Sequence, residues 1–361
     1  MNKNKITLLI IGIIALGAGF IYLYPPKTVE TRVLKVYCAG SLLYPMERVA
    51  EAFMLEHPEI DVHIEGHGSI QVIRHPTELD DPADLLMVAD YSLIPVMMYD
   101  KPVPGMEGNY TDWYIRFAGN EMVIAYTDQS LYSGIVNETN WYNVLADPDV
   151  KLGISNPIVD ALGYRALILL QLSEIYYGEP QIFQNVIGDW FDPEFETVDI
   201  GTRTVIFVPE QEKPVGDKIS VRASSVQIIP LLQSGALDYA FLYKSNAEQQ
   251  GLPYIKLPDE INMGNPRYDS YYAQAQVRFQ HARFQSIGLD RLGKTIYYGL
   301  TIAETAENPS DAALLAAYII GGEGKAIFND LHNPVYVPAL TDNLDSVPEE
   351  LKQYLVMDTY K

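Results

Sequence analysis

The sequence predicts an α/β protein of two lobes with a ligand cleft between them, and three observations lead there. Strand-like apolar runs alternate with helical periodicity from about residue 32 to residue 89, the pattern of a parallel sheet covered by helices. A second α/β unit follows between about residues 120 and 251, and the chain then returns through strand patterns at 254–257 and 296–302. With 361 residues and 48% hydrophobic content, it has the apolar supply for two cores.

The elements follow in order. Lys3 and Lys5 precede an uncharged run from Ile6 to Leu23, and Pro25 and Pro26 stop any helix there. That layout fits a secretory signal, and about 20 apolar residues also suffice for an uncleaved anchor. Both readings place the rest of the chain outside the cytoplasm. Residues 32–38 (RVLKVYC) alternate as a strand, and Ala39-Gly40-Ser41 turns it into a helix. Ser41 can cap that helix, Pro45 fits its opening turn, and Leu43, Met46, Ala50, Phe53 and Met54 recur at helical spacing. A strand at 60–65 runs into Gly66-His67-Gly68-Ser69, where another helix opens, and residues 83–89 form a third strand. Residues 116–126 read as one strand leaving this unit. In the second unit, strands are expected at 151–154, 204–208, 218–221 and 239–243, with helices at 163–177 and 225–233. A last helix at 310–320 should pack on the first lobe. The expected division is a signal or anchor with linker (1–31), lobe 1 (32–118), lobe 2 (119–253), and a return crossing that completes lobe 1 (254–361).

A formal net charge of −22 argues against a nucleic-acid partner and against polybasic membrane contact. An anion site in so acidic a protein must work through local dipoles and hydrogen-bond donors. The one cysteine, Cys38, cannot close a disulfide within the chain and reads as a buried strand thiol. His57, His63, His67 and His75 crowd one stretch, but their spacings match no compact zinc pattern. The run at 321–325 (GGEGK) lacks the spacing of a phosphate-binding loop, and no hydrolase elbow or HExxH motif occurs. With no convincing nucleophile and base pair, the expectation is a binding protein without enzymatic activity or cofactor. Asn109-Tyr110-Thr111 and Asn137-Glu138-Thr139 are glycosylation acceptors that export would make usable.

Candidate ligand contacts lie at strand-to-helix turns. Gly40-Ser41 and Gly68-Ser69 each offer a close backbone approach, a hydroxyl, and a helix start with unpaired N–H groups. Two such turns at one sheet edge aim neutral donors at one anion, although plain capping explains each serine equally well. Asp160 precedes another helix as an N-cap, with free amides on Ala161 and Leu162. Ser224-Ser225 precedes a further helix, and Tyr243 ends an apolar strand.

Over residues 34–338 the chain resembles the archaeal tungstate/molybdate-binding proteins of ABC import systems, a branch of the type II periplasmic binding proteins. The resemblance rests on AGSL (39–42), Gly68-Ser69, VADYSLI (88–94), NWY (140–142), SNP (155–157), GYR (163–165), SGALDY (234–239) and YKS (243–245). It implies a type II two-lobed fold, a bound tungstate or molybdate, and a membrane permease with its cytoplasmic ATPase as partner to a monomeric receptor. It further implies oxyanion contacts from Ser41 with the Leu42 amide, from Ser69, from Asp160 with the amides of Ala161 and Leu162, and from Tyr243.

One position departs from the family. Where the family typically carries a glutamate that, with the counterpart of Asp160, brings carboxylate oxygens to the metal centre, this chain has Ser225. A donor hydroxyl replaces a negative charge, leaving Asp160 as the one expected carboxylate ligand of tungsten or molybdenum. Sulfate and phosphate therefore stay open as alternative ligands, and an exported hydrolase on the same scaffold is the rival outside the receptor class.

Overall fold

The computed structural model describes residues 31–211, 213–280 and 286–359; the apolar segment read as signal or anchor lies outside them. A seven-stranded sheet runs in the order Leu355–Met357, Val335–Thr341, Ile115–Gly119, Tyr297–Thr301, Leu85–Val88, Arg32–Ala39, Ile60–His67. Arg32–Ala39 pairs in parallel with both of its neighbours, and Tyr297–Thr301 runs antiparallel to both of its own. Leu34, Val36 and Cys38 are fully buried, so the lone thiol is a core residue. Helix Leu43–Glu56 covers this sheet with Met46, Val49, Ala50 and Phe53, the i, i+3, i+4, i+7 stripe of an amphipathic helix. Burial of each larger side chain in that stripe contributes roughly 1.5–3 kcal/mol. Helix Pro309–Gly321 packs against the same unit, as its position in the sequence suggests.

A five-stranded sheet runs Ile219–Arg222, Leu152–Ser155, Tyr239–Tyr243, Met122–Tyr126, Tyr254–Lys256. The first three strands are parallel, and Met122–Tyr126 is antiparallel to its neighbours. Helix Ala161–Tyr177 is buried without interruption from Ala161 to Ser173, as a helix apolar on every face must be. Gly178, at φ +70°, ends it in the left-handed conformation.

One expectation fails here, and another is met in a sheet that the periodicity does not show. The single strand expected at 116–126 is two strands, Ile115–Gly119 and Met122–Tyr126, which belong to different sheets. The break falls at Gly119-Asn120-Glu121, where the Asn120 side chain accepts from the Glu121 amide at 2.9 Å and turns the chain. The strand expected at 204–208 does form, as Arg203–Val208, but in a separate four-stranded sheet with Glu196–Ile200, Ala275–Phe279 and Asp290–Leu292. Its parallel partner Ala275–Phe279 arrives about 70 residues later, a pairing that periodicity does not encode. The return crossing lies beside the first: the Ile296 amide donates to Met263 O at 2.8 Å, and the Asn120 amide to Ile296 O at 3.4 Å.

Candidate functional site

Four helix starts meet where the seven- and five-stranded units face each other. The short turn Gly40–Leu42 and helix Ser69–Glu78 come from one side, helices Ala161–Tyr177 and Ser225–Gln233 from the other. The two walls touch. A Cβ on Gly68 would lie 2.3 Å from the Val159 carbonyl oxygen, and one on Gly40 would lie 3.0 Å from Val226 and 3.3 Å from the Ser224 hydroxyl. The Ile70 amide donates to Val159 O at 3.2 Å, and Asn246 Nδ2 to Ser41 O at 3.3 Å. The cleft is closed, and Ser41, Leu42, Ser69, Asp160, Ala161, Leu162, Ser225 and Tyr243 are all buried at it.

Capping does not account for the serines. Ser41 lies inside the short turn, and Leu42 caps the helix that follows without any side-chain bond. Ser69 is the first helical residue after Gly68, whose amide donates instead to Gln71 Oε1 at 3.2 Å. Ser225 likewise opens its helix, and Ser224 in front of it makes no side-chain cap. The expected capping role of Ser41 is therefore wrong: a tight turn precedes the helix, and the hydroxyl points elsewhere.

Three hydroxyls at the cleft are instead held as acceptors. Ser69 Oγ accepts from the Ala89 amide at 3.0 Å. Ser41 Oγ accepts from the Tyr298 hydroxyl at 3.0 Å, and Tyr298 in turn accepts from Asn120 Nδ2 at 2.9 Å. Tyr243 accepts from Arg165 Nη1 at 2.6 Å. A hydroxyl has one proton to give, and with its oxygen already engaged, that proton is left for whatever lies between the walls.

Asp160 stands at the N-cap position of helix Ala161–Tyr177 and reaches across the cleft, with Oδ1 at 3.5 Å from the Ser69 amide. Burial pushes its pKa up to about 6, against the opposing pull of Ser155, the Ser69 amide and Arg165. Behind it lies a charged cluster that sequence reasoning missed. Arg165 and Asp90 are each 2% exposed; Asp90 accepts from Tyr164 Oη at 2.8 Å and from Ser92 Oγ at 2.8 Å, and pairs with Lys294 at 3.1 Å. Burial works against the Asp90 charge, yet Lys294 and Arg165 hold its carboxyl well below the usual range. Arg165 stood within the GYR motif, but a single arginine on an apolar helix carries no sign of its partners. Tyr298 and Asn120 were missed for the same reason, since strand insertion and chain crossing alone bring them to the site.

The arrangement offers neutral donors at converging helix starts, with one carboxylate among them, to a small group closed off from water. Residues 34–331 match the family described as bacterial extracellular solute-binding protein. An uncharacterized solute-binding protein of Staphylothermus marinus is 34% identical over 360 residues, covering 98% of this chain and 97% of its own. The molybdate/tungstate-binding protein WtpA of Pyrococcus abyssi is 35% identical over 335 residues, covering 90% of each. Among solved structures, the periplasmic molybdate-binding protein of Azotobacter vinelandii is similar with a TM-score of 0.52 at 16% identity, covering 83% of this chain and 98% of that one, a likeness of the two-lobed fold. Matched over most of its length by both the family and these relatives, the chain belongs to the bacterial extracellular solute-binding proteins.

Proposed function

We propose that this protein captures a tetrahedral oxyanion, tungstate or molybdate, outside the cytoplasm and delivers it to an ABC permease driven by a cytoplasmic ATPase. The observation that carries this reading is the state of the three hydroxyls: Ser41, Ser69 and Tyr243 each accept a bond from the protein, which leaves each hydroxyl proton free to donate to a ligand. Backbone amides at the helix starts, including those of Leu42, Ala161 and Leu162, add dipoles suited to an anion. Such a site needs no positive surface, which fits a net charge of −22. The relative from Pyrococcus abyssi, named for molybdate and tungstate, supports the choice of anion.

In this reading residues 32–118 with the end of the chain form one lobe and residues 119–253 the other. Closure brings Ser41 and Ser69 against Asp160, Ser225 and Tyr243, and the different contacts of open and closed forms are what let a ligand shift their populations. The receptor acts as a monomer, exported or tethered by its N-terminal segment. Asp160 is the carboxylate that can reach the tungsten or molybdenum of the bound oxyanion, and Ser225 adds a hydroxyl where a second carboxylate would exclude sulfate. Sulfate is therefore the second reading. Calorimetric titration with tungstate, molybdate, sulfate and phosphate tests the choice: tungstate and molybdate should bind far more tightly, and sulfate binding as tightly as tungstate overturns it.

A further inference from the structure

Arg165 occupies an unusual place between the walls. It stands on the first turns of helix Ala161–Tyr177 in the five-stranded unit, 2% exposed. From there Nη1 donates both to the Tyr243 hydroxyl at 2.6 Å, on its own side, and to the Ala89 carbonyl at 2.7 Å, on the other. Ala89 directly follows strand Leu85–Val88, and its amide is the group that holds Ser69 Oγ at 3.0 Å. One guanidinium thus grips the two ends of a short relay. Tyr243 is fixed directly, and Ser69 is fixed through a single residue whose carbonyl is held by Arg165 and whose N–H is held by Ser69.

Arg165 also helps to hold the buried Asp90 charge, but that pairing does not account for its short bonds. Arg165 Nη2 lies 3.7 Å from Asp90 Oδ2 and makes no hydrogen bond. Asp90 is satisfied by nearer groups: Tyr164, the hydroxyl and amide of Ser92, and Lys294. The short bonds from Arg165 both leave Nη1 and go to a carbonyl and a phenol, two neutral acceptors on opposite walls whose directions a planar guanidinium nitrogen fixes together.

Building on the oxyanion reading, we propose that Arg165 is a positioning residue that couples anion capture to lobe closure by aligning the Tyr243 and Ser69 hydroxyls from opposite walls at once. It need not touch the anion. When the lobes part, the bond to Ala89 is lost, and both donors lose their orientation together; when an anion engages both hydroxyls, the closed position of Arg165 is favoured.

The test uses the exported chain as wild type, Arg165→Lys, Arg165→Gln, Tyr243→Phe and the Arg165→Gln/Tyr243→Phe double variant. Molybdate affinity is read by calorimetry and closure by the ligand-induced change in radius of gyration in solution scattering. Arg165→Lys retains the charge in the core, so a fold defect in Arg165→Gln does not end the test. We expect Arg165→Lys to lose on the order of tenfold or more in affinity and to close incompletely at saturating molybdate. We expect the double variant to bind nearly as well as Arg165→Gln alone, since without the arginine the Tyr243 hydroxyl is already out of alignment. Full closure and near wild-type affinity in Arg165→Lys, or additive losses in the double variant, overturn the proposal. Wild type that binds none of molybdate, tungstate, sulfate and phosphate overturns the oxyanion reading, and this inference with it.

Discussion

The Tyr298 hydroxyl donates to Ser41 Oγ at 3.0 Å while its own oxygen accepts from Asn120 Nδ2 at 2.9 Å. Asn120 sits at the first chain crossing, so the crossing and the cleft are joined by an unbroken line of two hydrogen bonds. Removing the middle of that line, by Tyr298→Phe, frees Ser41 Oγ to turn away from the cleft. The loss of one buried hydrogen bond, about 1 kcal/mol, predicts about fivefold weaker oxyanion binding by calorimetry.

Gly68 offers a test of closure itself. Its backbone, at φ −66° and ψ 145°, suits alanine, so Gly68→Ala should leave the unliganded protein as heat-stable as wild type. The added Cβ would lie 2.3 Å from the Val159 carbonyl across the cleft, too close for the walls to meet. Scattering should show no ligand-induced compaction, and affinity should fall by at least about tenfold, which corresponds to 1.4 kcal/mol. Full compaction in this variant would mean that the walls approach by another route.

Ser225→Glu places a second carboxylate at the start of helix Ser225–Gln233. X-ray absorption of bound tungstate should report four oxygen neighbours in the wild type or five with Asp160, and one or two more in the variant. Sulfate, which cannot expand its coordination, should lose affinity in the variant through charge repulsion while tungstate does not.

The raised pKa of Asp160 sets a pH dependence. Its carboxyl titrates at about 6 when folded, against about 3.9 in an unfolded chain. The folded state therefore holds the proton more tightly. This contribution to stability is fully present below about pH 4 and is lost as pH rises through 6. Asp160→Asn removes it, so the melting temperature of the unliganded variant relative to wild type should rise between pH 4.5 and pH 7, as measured by calorimetric scanning. An unchanged difference across that range would place the titration elsewhere.

Much of the site was legible because strand-to-helix junctions announce themselves locally. Ser41, Ser69, Asp160, Ser225 and Tyr243 each end a strand or open a helix, and short-range pattern is enough to place them. What the serines do there was not legible. Whether a hydroxyl caps its helix or receives a bond from afar depends on Ala89 and Tyr298, which lie 20 and 257 positions away in the chain. Arg165 was hidden by the same distance, since its partners Ala89 and Tyr243 are 76 and 78 positions off. The break itself was legible in the turn residues Gly119-Asn120-Glu121, which a single strand over 116–126 passed over; what no local pattern carries is that the two apolar halves join different sheets.

Strand Tyr297–Thr301 lies between Leu85–Val88 and Ile115–Gly119, whose own residues are made some 180 to 210 positions earlier. Until that wedge is in place, both earlier strands carry raw edges of unpaired amides and carbonyls, the surface on which chains stick to one another. During biogenesis the first third of the polypeptide therefore emerges unable to finish its sheet, and it must wait for a stretch near the far end. Such distant pairing slows folding, so an exported chain of this design depends on being kept apart from its neighbours while the last strands arrive.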